Sequence, residues 1–266
     1  MNPYFEIFWY PVYIFGLSIV VCFFLFLWML KKLSIRFSFE YHFFTNSILW
    51  YFLSVFIFSR LFYVISMWKD MKYIQDPFDF FIMSDYNFSL FGALFGFFAV
   101  LFLNVKLLKK SIHKYIDWFM LSFLFVSILW FIWAFFGGQV YGEITSLSIG
   151  VAYDNGLSSV PLTWELFPLA LVYSGICFLL FSTLYILSMY VKTRGIIGYV
   201  WLGIFSAIVL ALEFFSWKPD IFSVAYSVNL SQIWAIIFIV ISFYWIFRVM
   251  NIYSKSQKTI LWDVTK

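Results

Sequence analysis

Charged residues are scarce in this chain of 266 residues. They make up 11% of the sequence, whereas a soluble domain carries about 25%. Hydrophobic residues account for 64%, and phenylalanine alone occurs 39 times. Water cannot solvate a chain of this composition. The composition therefore excludes a soluble globular protein and indicates a protein that lies in lipid. The net charge of +4 is small, and we expect no nucleic-acid partner.

Cysteine and histidine are also rare, with two of each. Cys22 and Cys177 lie inside apolar runs without a CxxC motif or metal-ligand spacing, and we interpret them as small buried residues. His42 and His113 lie in basic segments between hydrophobic runs, and we interpret them as interfacial residues. The sequence therefore predicts no metal site and no cofactor.

Long hydrophobic runs define the architecture, because a membrane-spanning helix needs about 20 mostly apolar residues. We predict an all-α polytopic membrane protein in which residues 1–266 form a single transmembrane domain of seven helices. The N-terminus has no positive charge before the first apolar run and no cleavage site after it, so we expect that run to be retained. The predicted helices cover residues 10–30, 46–67, 88–105, 116–136, 167–190, 199–215 and 230–250.

Basic residues are distributed very unequally between the two sides of these helices. Thirteen lie in the loops after the first, third and fifth helices and in the C-terminal tail, whereas three lie on the opposite side. Because lysine and arginine are retained on the cytoplasmic side, we predict the N-terminus outside and the C-terminus in the cytoplasm. The two long outer loops then cover residues 68–87 and 137–166.

Ionisable residues within the membrane are costly and are candidates for function. Arg60 and Glu213 are both predicted in the outer half of the membrane. They could form a structural ion pair, or they could bind a lipid phosphate, whose geometry a guanidinium matches. Asp117 and Glu165 lie at the starts of predicted helices, where the interface and a helix N-terminus can stabilise a carboxylate.

Glycines mark two further places. Gly92 and Gly96 form a GxxxG motif in the third predicted helix, which is typical of close helix packing in lipid. Gly137, Gly138 and Gly142 follow the fourth helix, within residues 125–143. Glycines at that position end a helix, and they can also direct backbone N–H groups toward a ligand. This outer end of the fourth helix is the predicted place for any chemistry.

Several of these residues together resemble the prolipoprotein diacylglyceryl transferases of bacterial membranes, over roughly residues 13–251. Members of that family have Arg-x-x-Tyr in the second helix, then Asp-Pro, an aspartate and Ser-x-His-Gly-Gly. Later motifs are Val-Pro before Tyr-Glu, Glu-Phe-Phe before Pro-Asp, and a glutamine opening the seventh helix. The corresponding residues here are Arg60, Tyr63, Asp76, Pro77, Asp85, Ser89, Gly92, Val160, Pro161, Trp164, Glu165, Glu213, Phe214, Phe215, Pro219, Asp220 and Gln232.

The resemblance implies a seven-helix protein of the bacterial plasma membrane with its N-terminus outside. The family reaction transfers diacylglyceryl from phosphatidylglycerol to the cysteine that follows a prolipoprotein signal helix. The implied partners are membrane lipids, in particular phosphatidylglycerol, and prolipoprotein signal helices. The residues that the resemblance places at a lipid- or phosphate-binding site are Arg60, Tyr63, Ser89, Gly92 and Glu213.

The catalytic signature of the family, G-R-x-x-N-x-x-N-G-E at the outer end of the fourth helix, is not kept. With Gly138 on the late glycine, Phe131 replaces the arginine and Gln139 the glutamate, while Ala134 and Gly137 replace the two asparagines. Placing Gly142 and Glu143 on the Gly-Glu pair puts Phe135 at the arginine position instead. The other departures are Phe91 for histidine, Val209 for arginine and Phe15 for tyrosine.

Three functions remain open at this point. A diverged transferase could catalyse with substitutes such as Arg60, Glu143 and Tyr141, with Gln139 as a further weak candidate. A relative that has lost catalysis could keep a cleft for anionic lipid or signal helices. An unrelated seven-helix receptor or transporter is the third possibility, with Arg60 and Glu213 as a transport site.

Overall fold

The computed structural model describes most of the chain. The described residues are 4–7, 10–37, 39–66, 88–153, 160, 164–191, 193–216 and 230–264. The outer loop 68–87, with Asp76, Pro77 and Asp85, lies outside them. So do Pro161, Pro219 and Asp220, which the resemblance also used.

Two short strands precede the helical part. Strands β1 (Tyr4–Ile7) and β2 (Tyr10–Tyr13) pair in antiparallel register, with Tyr4 opposite Tyr13 and Ile7 opposite Tyr10. The first helix was predicted to begin at residue 10, but it begins at Ile14. Pro11 explains the difference, because a proline disfavours helical geometry at the residue before it and is accepted in an edge strand.

The helices follow in chain order, joined by short connections at one end of the bundle and by longer ones after α3, α5 and α7. A one-turn helix, α2, lies between the first two long helices, and a 3₁₀ turn at Glu213–Phe215 follows α7. The helices are α1 (Ile14–Phe37), α2 (His42–Thr45), α3 (Ile48–Ser66), α4 (Leu90–Leu107), α5 (His113–Phe136), α6 (Leu169–Tyr190), α7 (Ile196–Leu212) and α8 (Leu230–Val264).

Seven of these helices are long and apolar enough to cross a membrane. The prediction of a seven-helix multi-pass membrane protein is therefore confirmed, and most boundaries agree within three residues. The main exceptions are the C-terminal ends of α1 and α8, which were predicted at residues 30 and 250 and lie at Phe37 and Val264. The side of the membrane on which each terminus lies remains a prediction from the charges.

Helix α5 is the central element of the bundle. It packs against α1, α6 and α7, and α8 packs along α7. Its first half is almost fully buried, with Tyr115, Ile116 and Phe119 at 1% exposure or less. Phe119 meets Phe44 of α2, at 5.3 Å between ring centroids, and Phe97 of α4, at 5.0 Å. Through these aromatic contacts, α2, α4 and α5 pack together at the end of the bundle that carries the basic loops.

Helices α3 and α4 form a tightly packed antiparallel pair. A Cβ added to Gly92 would lie 2.3 Å from the carbonyl oxygen of Phe58, and one added to Gly96 would lie 2.5 Å from that of Ser54. Ser54 also donates a hydrogen bond of 2.8 Å to the carbonyl of Gly96. The GxxxG motif therefore has the packing role expected from its spacing, since only glycine lets the backbones approach so closely.

Candidate functional site

The C-terminal end of α5, which the charges predict to face outside, is held by a glycine cap. Gly138 has φ +64°, and its N–H donates to Phe135 while the N–H of Gln139 donates to Ala134. These two bonds form a Schellman motif, which satisfies the last carbonyls of a helix. A side chain at position 138 would also meet Val160 at 2.8 Å. The Gly-Gly pair thus ends the helix, and its N–H groups donate to backbone carbonyls of α5.

The segment after the cap joins two other helix ends. The N–H of Gly142 donates to Phe167, just before α6, and the N–H of Glu143 donates to Phe215, just after α7. A Cβ on Gly142 would lie 2.8 Å from the carbonyl oxygen of Phe215, so the glycine is required by the close approach. The ends of α5 and α7 and the start of α6 are therefore fixed together around this segment.

The three weak catalytic candidates lie on this segment. The Glu143 side chain is exposed, whereas Gln139 and Tyr141 are half-buried. The Gln139 amide lies 3.5 Å from the carbonyl oxygen of Gly137. Burial raises the pKa of the Tyr141 phenol above its usual range, so this hydroxyl is protonated at neutral pH and is no ready proton acceptor.

Glu213 is the most enclosed carboxylate near this segment. It lies in the 3₁₀ turn after α7, its side chain is 7% exposed, and its Oε1 has no hydrogen-bond partner among the residues that the structure describes. A buried carboxylate oxygen without a donor is costly, and a ligand hydroxyl would satisfy it.

Arg60 belongs to a second group, on the α3–α4 pair. Its side chain is 3% exposed, and the guanidinium carbon lies 5.5 Å from the centre of the Tyr63 ring. Ser89 caps α4 by accepting a hydrogen bond from Gly92, and its own N–H donates to the carbonyl of Ser59. The structure thus brings Arg60, Tyr63, Ser89 and Gly92 to the same end of this helix pair.

The hypothesis of an ion pair between Arg60 and Glu213 is not supported. Within the described part of the chain, no ion pair or hydrogen bond joins their side chains, and the ion pair that is present there links Lys110 and Glu40. Arg60 and Glu213 therefore act as separate groups, one on α3 and the other after α7. The described residues also contain no cluster of His, Cys, Asp or Glu that could hold a metal ion.

A comparison with known protein families shows to which family this chain belongs. The model of the prolipoprotein diacylglyceryl transferase family matches residues 3–248, which is nearly the whole chain. The chain belongs to this family. The alternative of an unrelated seven-helix receptor or transporter is therefore wrong. Among functionally curated proteins, none matches the sequence.

Apolar residues occupy the positions that the sequence resemblance aligns with arginine or histidine of the transferase family. Phe131 is 3% exposed and stacks on Tyr173, with ring centroids 4.8 Å apart and ring planes at 9°. Phe91 stacks on Phe238 at 5.5 Å, and Val209 is buried. In the alternative register, Phe135 is also buried. These side chains fill their positions with ring and aliphatic contacts.

Two tyrosines near the site were not found from the sequence. Tyr173 stacks on Phe131 and lies in a predicted membrane helix with no motif to single it out. Tyr153 is buried in the loop after α5 and donates a hydrogen bond of 2.8 Å to the carbonyl of Phe135. Burial raises the pKa of Tyr153 to about 12, so it acts as a neutral donor that stabilises the end of α5.

Proposed function

We propose that this transferase-family protein binds anionic phospholipid, in particular phosphatidylglycerol, in a bacterial plasma membrane, and that it does not transfer the diacylglyceryl group. Binding takes place in the outer half of the bundle, where Arg60 and Glu213 are buried. Prolipoprotein signal helices are the second partner that the family relationship suggests.

The observation that carries this proposal is the packing of Phe131. The family resemblance assigns this position to an arginine, and a guanidinium is suited to a phosphate because it presents paired N–H donors. Here the position holds a phenyl ring stacked on Tyr173 and almost completely buried. The reaction would release a glycerol phosphate, whose charge needs stabilisation in the transition state, and a phenyl ring provides none.

Two further positions support the loss of chemistry. Phe91 stands where the family has histidine and packs on Phe238 of α8. Val209 stands where the family has a second arginine, one helical turn before Glu213, and it is buried in the core. Because apolar side chains fill all three positions, a reacting lipid would meet neither the positive charges nor the imidazole.

Lipid binding is supported by the residues that are kept. Arg60 supplies a buried positive charge on α3, which is suited to a phosphate. The Oε1 of Glu213, which has no partner among the described residues, is suited to accept a hydrogen bond from a hydroxyl group. The glycerol headgroup of phosphatidylglycerol carries two hydroxyls. A neutral or zwitterionic headgroup without such hydroxyls would leave this oxygen unsatisfied.

The same Glu213 oxygen supports a second candidate function, a diverged transferase. A buried carboxylate oxygen to which no described residue donates could accept the proton of a cysteine thiol and so favour the nucleophilic thiolate. Glu143, Gln139 and Tyr141 would then be the remaining polar groups at the outer end of α5. This candidate lacks a cation at the Phe131 position, and for that reason we place it second.

A lipidation assay separates the two functions. The protein is expressed in cells depleted of their own transferase, together with a reporter prolipoprotein, and the mass of the reporter's cysteine peptide is measured. We expect no diacylglyceryl adduct. An adduct that depends on Glu213, and disappears in Glu213→Gln, would establish the diverged transferase and overturn our proposal.

Lipid binding is tested by native mass spectrometry of the purified protein with phosphatidylglycerol and phosphatidylcholine. Loss of a charge-assisted hydrogen bond to the headgroup should weaken phosphatidylglycerol binding by about tenfold or more in Arg60→Leu and in Glu213→Gln. Glu143→Gln is the matched control, since this carboxylate is exposed. Unchanged affinity in both variants would refute the proposed site.

A further inference from the structure

A groove of about 370 Å³ lies between α1, α5 and α6, at the end of the bundle opposite to Glu213. It is formed by the second half of α1, the middle of α5 and the second half of α6. We call it the basic groove. Its main lining residues are Trp28, Lys32, Arg36, Phe125, Phe181 and Tyr185.

The floor of the basic groove is a continuous row of aromatic rings. Ring centroids lie 6.1 Å apart for Trp28 and Phe125, 5.5 Å for Phe125 and Phe181, and 5.6 Å for Phe181 and Tyr185. The row extends from α1 across α5 to α6. Because the Trp28 side chain is 53% exposed, this floor is open to the surrounding lipid and could carry an acyl chain.

Two cations lie at the rim of this floor. The Lys32 ammonium lies 5.1 Å from the centre of the Trp28 ring, and the Arg36 guanidinium lies 4.9 Å from that of Tyr185. Arg36 also donates hydrogen bonds to the Tyr185 hydroxyl and, at 3.4 Å, to the sulfur of Met189. These contacts hold the guanidinium over the groove.

The depth of the cations matches a lipid headgroup. The membrane-spanning segment of α1 is Leu17–Arg36, so Lys32 and Arg36 occupy its last turns, where the hydrocarbon region gives way to the interface. They are four residues apart and so lie on the same face of the helix. The two positive charges at the interface and the aromatic floor beside them together complement an amphiphile with a negative headgroup.

We propose that the basic groove binds one anionic phospholipid, with its phosphate between Lys32 and Arg36 and an acyl chain across the aromatic floor. The charges select an anionic headgroup over a zwitterionic one, and the fixed position of Arg36 on Tyr185 reduces the ordering needed on binding. This inference is independent of the proposed function, because it concerns the opposite end of the helices and the other leaflet.

The test is a native mass spectrometry titration of the full-length protein in detergent with dioleoylphosphatidylglycerol and dioleoylphosphatidylcholine. Basic residues near a headgroup contribute about fivefold each to the binding of anionic lipid, so the double variant Lys32→Gln/Arg36→Gln should bind phosphatidylglycerol about twentyfold more weakly at one site. Phosphatidylcholine binding should not change. Lys106→Gln/Lys109→Gln, which removes two exposed charges near the basic end of α4, should keep the wild-type affinity.

A charge-conserving variant guards against a folding defect. Lys32→Arg/Arg36→Lys should bind within about threefold of the wild type, because both positive charges remain. The buried Cys177 thiol should stay unreactive in every folded variant. The proposal is overturned if the neutral double variant binds phosphatidylglycerol like the wild type, or if the wild type binds phosphatidylcholine equally well. Because this site differs from that of Arg60 and Glu213, the Glu213→Gln variant should retain it.

Discussion

Replacing Asp117 with alanine should strongly destabilise the bundle. The Asp117 side chain on α5 is 5% exposed, and its two oxygens accept hydrogen bonds of 2.7 Å from the N–H groups of Gly195 and Gly198. Gly195, with φ +91°, directly precedes α7, and Gly198 is the third residue of that helix. Asp117 therefore provides from a neighbouring helix the cap that α7 lacks in its own sequence.

The size of the effect follows from these two bonds. Each buried N–H that loses its acceptor costs about 1–3 kcal/mol, and hydrogen bonds to a charged group lie at the upper end of the usual range. Removing the buried carboxylate recovers part of that cost. We therefore expect a loss of about 2–4 kcal/mol for Asp117→Ala. For Asp117→Asn, which retains one acceptor oxygen, we expect about half of that.

The two buried cysteines allow this loss of stability to be measured. Cys22 and Cys177 are buried, so a thiol-reactive fluorophore reports the unfolding of the detergent-solubilised protein on heating. The expected Tm falls by on the order of 5–15 °C for Asp117→Ala, and Asp117→Asn should lie between this variant and the wild type. Glu143→Ala, which removes an exposed carboxylate, should leave Tm unchanged. A shift for Asp117→Ala no larger than that of this control would refute the capping argument.

Two other perturbations can be followed with the same assay. Gly92→Ala places a Cβ 2.3 Å from the Phe58 carbonyl oxygen and should lower Tm. Gly175→Ala, whose Cβ would meet no other element of the described residues within 4 Å, should leave Tm unchanged or slightly raised. Equal shifts would contradict the close packing of α3 and α4. Burial and, to a lesser degree, the Arg248 charge lower the pKa of His113. As the pH falls, the unfolded state therefore binds the proton before the folded state does, and the stability of the protein should fall below about pH 6.5. A His113→Gln variant should lose that part of the pH dependence, and an unchanged pH profile would show that His113 does not cause it.

The membrane-spanning segments could be predicted from the sequence because the bilayer imposes a simple requirement. Every backbone N–H and C=O in hydrocarbon must be bonded within the protein, so a run of about 20 apolar residues is a helix. The exceptions have local causes. Residues 10–13 are as apolar as a helix but pair with β1, and α8 continues beyond the membrane through a polar segment that hydropathy does not register.

The roles of single polar residues were harder to predict. Asp117 was expected to be stabilised by the interface and the N-terminus of its own helix, but it caps α7, which begins some eighty residues later in the chain. Arg60 and Glu213 were considered as partners because both were predicted in the outer half of the membrane. Hydropathy predicts only how deep a residue lies in the membrane. Pairing depends on which helix faces are in contact, and among the described residues no ion pair joins Arg60 and Glu213.

By itself, the sequence determined that this protein crosses the membrane seven times and resembles the diacylglyceryl transferases, because hydrophobic run length and motif spacing are properties of the chain. The resemblance also predicted that Phe131, Phe91 and Val209 replace polar residues of the family. Only the tertiary structure decided what these replacements do. Phe131 stacks on Tyr173, forty-two residues away in sequence, and Glu213 is enclosed with one oxygen that has no partner in the described part of the chain. Such contacts depend on how helices distant in sequence pack together, and that packing cannot be read from any one segment.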